Sequence, residues 1–152
     1  MAPWRERPEM PTLYETDFYA WANEQAKLLR EGNVAAADLA HIAEEIESMG
    51  RGEKRELVNR LEVLLMHLLK WAYQPDGRSR SWEVTIANQR DQLASHLADN
   101  PSLKAHCDEA IDQAYRRARR DAELETGIPE STFPATCPWP FEQIMDETYW
   151  PN

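Results

Sequence analysis

The segment from Glu53 to Tyr73 constrains the fold more than any other. Leu57, Val58, Leu61, Leu64, Leu65, Leu68, Leu69 and Ala72 recur at spacings of three and four, and Val63, Met66 and Trp71 lie off that stripe. A helix apolar nearly all round is stable in water only when other elements surround it. The segment therefore predicts a central helix in an all-α protein, ended by Pro75, Asp76 and Gly77. His67 and Lys70 interrupt its longest apolar run, Val63 to Trp71, which is too short to span a bilayer.

The rest of the chain supplies the surrounding helices. A first helix is expected from about Asp17 to Glu31, with Thr16 as N-cap and Gly32 in the C′ position. Its stripe is Tyr14, Phe18, Trp21, Leu28 and Leu29. A second runs from about Val34 to Met49, where Leu39, Ile42, Ile46 and Met49 share one face; Gly50 and Gly52 are expected to break it before the central third helix. A fourth runs from about Trp82 to Ala98, capped by Ser79 or Ser81, with Trp82, Ile86, Leu93 and Leu97 inward. A fifth opens at Asn100-Pro101, continues through Leu103, Cys107, Ile111, Ala114 and Ala118, and closes at Gly127. Beyond Ile128, Pro129, Pro134, Pro138 and Pro140 forbid a long helix. An extended arm follows, anchored by Phe133, Trp139, Phe141 and Trp150, with a short helix from Phe141 to Asp146. The expectation is an all-α bundle of about five helices with a proline-rich C-terminal arm wrapped on it. Residues 13–152 form a single domain, preceded by a flexible tail over residues 1–12.

Composition narrows the function classes. With 17 Lys+Arg against 27 Asp+Glu in 152 residues, the net charge is −10. That opposes broad nucleic-acid binding, which rests on neutralising phosphates, and opposes attachment to an anionic membrane. It suits a basic or small-molecule partner. Cys107 and Cys137 form no CxxC or Cys/His zinc pattern and read as free thiols in a reducing cytoplasm. The N-terminus has no apolar run and does not read as a signal peptide. No GxSxG, HExxH or glycine-rich phosphate loop occurs.

Several segments follow a known pattern in order. They begin with Tyr14-Glu-Thr-Asp-Phe18, Leu39-Ala-His-Ile-Ala-Glu-Glu-Ile-Glu47 and Leu61-Glu-Val-Leu-Leu-Met-His-Leu-Leu-Lys-Trp71. Gln74-Pro75, Ser81-Trp82, Ile86 with Gln89-Arg90, Pro101-Ser-Leu103 and Tyr115-Arg-Arg-Ala-Arg-Arg120 continue it, and Phe133-Pro134, Cys137-Pro138 and Trp150-Pro151 close it. From about Leu13 to Pro151 the chain resembles the bacterial family catalogued as domain of unknown function twenty-nine. The resemblance implies a small helical protein and supplies no activity, no cofactor and no catalytic residues.

Some polar residues exceed what a plain bundle needs. Gln25 and Gln89 fall inside apolar stripes, as core hydrogen bonds fixing helix register or as the lining of a pocket. His67 sits in the most apolar helix, where one carbonyl can satisfy it. His41, Glu44, Glu45 and Glu47 form an acidic face on which Glu45, beside Asp38, is best placed to point between helices. Arg78, Arg80, Arg90, Arg116, Arg117, Arg119 and Arg120 cluster, with Arg117–Asp121 and Arg119–Glu123 spaced as i,i+4 pairs.

Three functions fit. The first is a binding or regulatory module acting through a protein or small-ligand contact, with Glu45, His67, Trp71, Gln89 and Arg90 as ligand-binding residues. The second is a metal-dependent or acid/base hydrolase between helices two, three and four, using Glu45 and His67, with Arg90 as anion clamp and Gln89 as orienting amide. The third is nucleic-acid binding through the helix-five arginines. The sequence assigns no catalytic residue, metal ligand or cofactor, and leaves oligomeric state open.

Overall fold

The computed structural model describes residues 12–152; the expected tail over residues 1–12 lies almost wholly outside them. The order is α1 (Leu13–Thr16), α2 (Phe18–Arg30), α3 (Leu39–Tyr73), α4 (Arg80–Asp99), α5 (Cys107–Thr126) and α6 (Phe141–Met145). Short 3-10 turns lie between them, and the described residues contain no strand. The all-α class holds. None of these helices is long and apolar enough to cross a membrane. By internal contacts the chain divides into two compact units, the first ending at Gly50 and the second running Arg51–Asn152.

Local signals set most helix ends. The Asp17 side chain accepts from the Ala20 N–H at 3.0 Å and caps α2, so the cap falls one residue after the expected Thr16, which closes α1. Gly32 and Gly127 take φ of +72° and +75°, the left-handed geometry that ends a helix and that a Cβ disfavours. Ser79 caps α4 by accepting from the Trp82 N–H at 3.3 Å. The expected single helix from Asn100 is a 3-10 segment, Pro101–His106, followed by α5.

The expected break at Gly50 and Gly52 does not occur. α3 is one helix of 35 residues that passes through both glycines. A mid-helix glycine costs about 1 kcal/mol relative to alanine, which weakens a helix without forbidding it, and nothing within 4 Å demands the missing Cβ at either position.

In the second unit the core forms as the periodicity requires. Leu57, Leu61, Leu64, Leu65, Leu68 and Leu69 of α3 are fully buried with Ile86 and Leu93 of α4, Ala110, Ala114 and Ala118 of α5, and Ile144 of α6. Phe133 and Trp139 of the arm are buried in the same cluster, and Phe141 and Trp150 pack on it half-buried. In the first unit burial is sparse, with only Trp21 and Gln25 buried among the described residues. The predicted Leu39–Met49 stripe is largely open: Leu39 is 50%, Ile46 63% and Met49 70% exposed, while Ile42 is half-buried. Periodicity identifies a shared face, but not that anything covers it.

Candidate functional site

The five residues picked from sequence fall in two compact units. Glu45 belongs to the first unit; His67, Trp71, Gln89 and Arg90 belong to the second.

Glu45 sits in an aromatic and acidic knot. The Tyr14 hydroxyl donates to its Oε1, and this bond, aided by partial burial, pushes the phenol up to about 12. The Tyr14 ring stacks on His41 with centroids 4.0 Å apart and meets Trp21 edge-on at 4.8 Å. Trp21 Nε1 donates to Asp38 Oδ2 at 3.2 Å, and His41 Nδ1 lies 2.6 Å from the same oxygen. Hydrogen bonding from His41, with Trp21 adding to it, holds the Asp38 carboxyl below its usual range. Gln25 Oε1 accepts the Asp38 N–H at 2.7 Å. Gln25 is thus a satisfied buried amide that ties α2 to the residue preceding α3.

His67, Trp71 and Arg90 are likewise occupied. His67 Nδ1 donates to the Val63 carbonyl one turn back, at 2.8 Å, and burial holds its pKa down, with Lys70 adding to this. Trp71 packs on Trp150 at 4.6 Å, and the Arg78 guanidinium lies over the Trp71 ring at 5.0 Å. Arg90 is 2% exposed. Its Nε donates to the Ile144 carbonyl at 2.8 Å and its Nη2 to the Tyr149 carbonyl at 2.9 Å. Burial lowers its pKa, opposed by Asp146 and Glu147. The expected anion clamp is filled by backbone oxygens of the C-terminal arm. Arg119 serves the arm in the same way, donating to the Glu130 carbonyl at 3.0 Å.

Gln89 differs. Its Oε1 is buried yet has no hydrogen-bond partner among the described residues. It lines a groove of about 360 Å³ between α3 and α4, walled by Gly52, Arg55, Glu56, Asn59, Arg60 and Val63. Arg60 reaches across the groove, with Nε 2.9 Å from Glu56 Oε1 and Nη1 bonded to Gln92 Oε1. The exposed Arg55 adds a second guanidinium. Two guanidiniums, the Glu56 carboxylate and the amides of Asn59 and Gln89 line the groove, the last with its orphaned acceptor, beside the apolar Val63. Small-molecule sites are mostly apolar with a few convergent polar groups; this groove is lined mostly by polar residues, which suits it to a polar ligand.

Along the same two helices the sequence reading missed one cluster. Glu53 and Glu56 of α3 and His96 of α4 bring one potential ligand atom each within 4.8 Å of one another, the described residues' one group of metal-ligating types. The signal was present but faint: His96 falls three residues after Leu93 on the inward face of α4, and Glu53 and Glu56 are one turn apart on α3.

These features define a small all-α protein built on a long helix, with a polar groove between two of its helices. The chain belongs to the family described as domain of unknown function DUF29, whose model matches residues 13–150. No curated protein matches the chain, and no solved structure does.

Proposed function

We propose that this protein is a cytoplasmic binding module whose α3–α4 groove takes a small polar ligand carrying an anionic group and a hydrogen-bond donor. The observation that carries this reading is the buried, unpartnered Oε1 of Gln89 in the groove wall. A buried acceptor left unpaired costs about 1–3 kcal/mol, so a ligand N–H or O–H that meets it recovers more than an exposed guanidinium contributes, about 0.2–1 kcal/mol. Gln89 therefore sets specificity, and Arg55 adds attraction for the anion. The net charge of −10 supports a small ligand over a nucleic acid.

The test is a titration of labelled protein with amino acids and small carboxylates, followed by amide chemical shifts. Saturable shifts around Asn59, Val63 and Gln89 are expected, lost in Gln89→Leu and weakened in Arg55→Ala. Shifts clustered elsewhere, or unchanged by Gln89→Leu, would refute the reading.

A second reading, contact with another protein, is favoured by the open Leu39, Ile46 and Met49 face. If that face docks a partner in the host, Ile46→Lys abolishes co-purification while leaving the helical circular dichroism signal intact. Co-purification that survives the substitution rules the face out.

A further inference from the structure

We propose that Glu53, Glu56 and His96 form a binding site for a first-row divalent cation, with Zn²⁺ as the reference ion. The surroundings of His96 fix its tautomer. This side chain is 8% exposed, and its Nε2 lies 2.8 Å from the Glu53 backbone carbonyl. A carbonyl only accepts, so Nε2 carries the proton. In the neutral ring Nδ1 is then a bare lone pair. That lone pair faces two acceptors, Glu53 Oε2 and Glu56 Oε2, each 3.6 Å away.

A separation of 3.6 Å is too long for a hydrogen bond. It suits two atoms bound to one ion. With metal–nitrogen and metal–oxygen bonds of about 2.0–2.2 Å, ligand atoms on a tetrahedral centre sit about 3.4 Å apart. The imidazole lone pair thus lies at coordination spacing from both carboxylates, and all three ligand atoms lie within 4.8 Å of one another, close enough that small side-chain movements of the two half-exposed glutamates bring them onto one ion.

The surroundings are those that hold metal ligands in place. Ligating histidines donate the remote ring N–H to a carbonyl or carboxylate, which fixes tautomer and ring orientation; here the Glu53 carbonyl takes that part. The other oxygen of Glu56 is held by Arg60, with Nε at 2.9 Å and Nη2 at 2.8 Å, so Oε2 stays turned toward His96. One imidazole and two carboxylates suit Zn²⁺, Mn²⁺ or Fe²⁺ and not a soft monovalent ion. Three protein ligands leave a further coordination position for water. The inference does not rest on the groove ligand, because the cation is measured alone.

The experiment is calorimetric titration of the untagged full chain with Zn²⁺ at pH 7.5, with native mass spectrometry for stoichiometry. One Zn²⁺ per chain is expected. The double variant E53Q/E56Q changes two half-exposed side chains and retains the helical circular dichroism signal; its affinity should fall at least ten-fold, as should that of His96→Gln. Gln89→Leu, which breaks the groove reading, should bind Zn²⁺ normally. The proposal is overturned by any of three results: no binding at 100 µM Zn²⁺, Zn²⁺ binding undiminished in E53Q/E56Q, or nitrogen shifts of His96 showing Nδ1 protonated at pH 7.5 whether or not Zn²⁺ is added. The last would identify the cluster as an imidazolium paired with two carboxylates.

Discussion

Replacing Arg90 by alanine tests whether the C-terminal arm is held from inside the core. The guanidinium donates to the Ile144 carbonyl at 2.8 Å and the Tyr149 carbonyl at 2.9 Å, and lies 5.6 Å from the Trp150 ring. Hydrogen bonds from a charged donor contribute about 1.5–3 kcal/mol each. The Ile144 bond is buried and belongs at the upper end, while the Tyr149 bond is half-buried and belongs at the lower end. The ring contact adds about 0.5–1 kcal/mol. Arg90→Ala should therefore cost about 4–6 kcal/mol, a large part of the 5–15 kcal/mol typical of a domain. Arg90→Lys keeps the charge but presents a single point donor, so it satisfies one carbonyl and should cost about half as much. Urea unfolding followed by circular dichroism measures both values, and limited proteolysis reports on the arm. A loss below about 1 kcal/mol for Arg90→Ala, or an arm no more susceptible to protease than in the parent, would refute the reasoning.

Three further outcomes follow from the same contacts. Gly50→Ala and Gly52→Ala each meet open space in mid-helix and should each stabilise the protein by about 0.5–1 kcal/mol; a lower melting temperature in Gly50→Ala would show that α3 needs its flexibility there. His67 has a pKa depressed by burial from 6.5, so the unfolded chain takes up its proton first, and stability falls as pH drops below about 6.5 and on through the folded value. The urea midpoint of His67→Leu should decline less between pH 7.5 and 5.5 than the parent's, and parallel declines would contradict this. Lys70, 7% exposed, pairs with Glu125 at 2.5 Å and lies 4.5 Å over the Trp82 ring. Because Glu125 is half-exposed, Glu125→Gln should cost about 1–2 kcal/mol, reduced from the figure for a fully buried pair; Lys70→Met added to it should recover most of that loss in a double-mutant cycle.

Features that depend on a residue and its near neighbours were legible in the sequence. The glycines at 32 and 127, the Ser79 cap and the α3 leucine stripe all act within a turn or two of the chain, and each does what its local chemistry requires. Features that depend on distant partners were not. Arg90 read as a ligand clamp because nothing near it in sequence reveals that carbonyls over fifty residues later will occupy it. Gln25 and Gln89 looked alike, each an amide in an apolar stripe, yet Gln25 meets the Asp38 N–H while the Gln89 Oε1 meets no partner among the described residues. Gly50 and Gly52 misled for another reason: their helix penalty is small against the cooperative gain of continuing a long, otherwise well-formed helix.

The sparse burial of the first unit has a consequence for how the molecule breathes. With only Trp21 and Gln25 buried among its described residues, that unit has little apolar contact to set against chain entropy, and it should open at a free energy well below global unfolding. Amide hydrogens of α2 and of α3 before Gly50 should exchange early, while those between Leu57 and Leu69 persist until the whole chain unfolds. α3 would then be one helix with two lifetimes, its C-terminal half a lasting template on which the N-terminal half repeatedly melts and regrows.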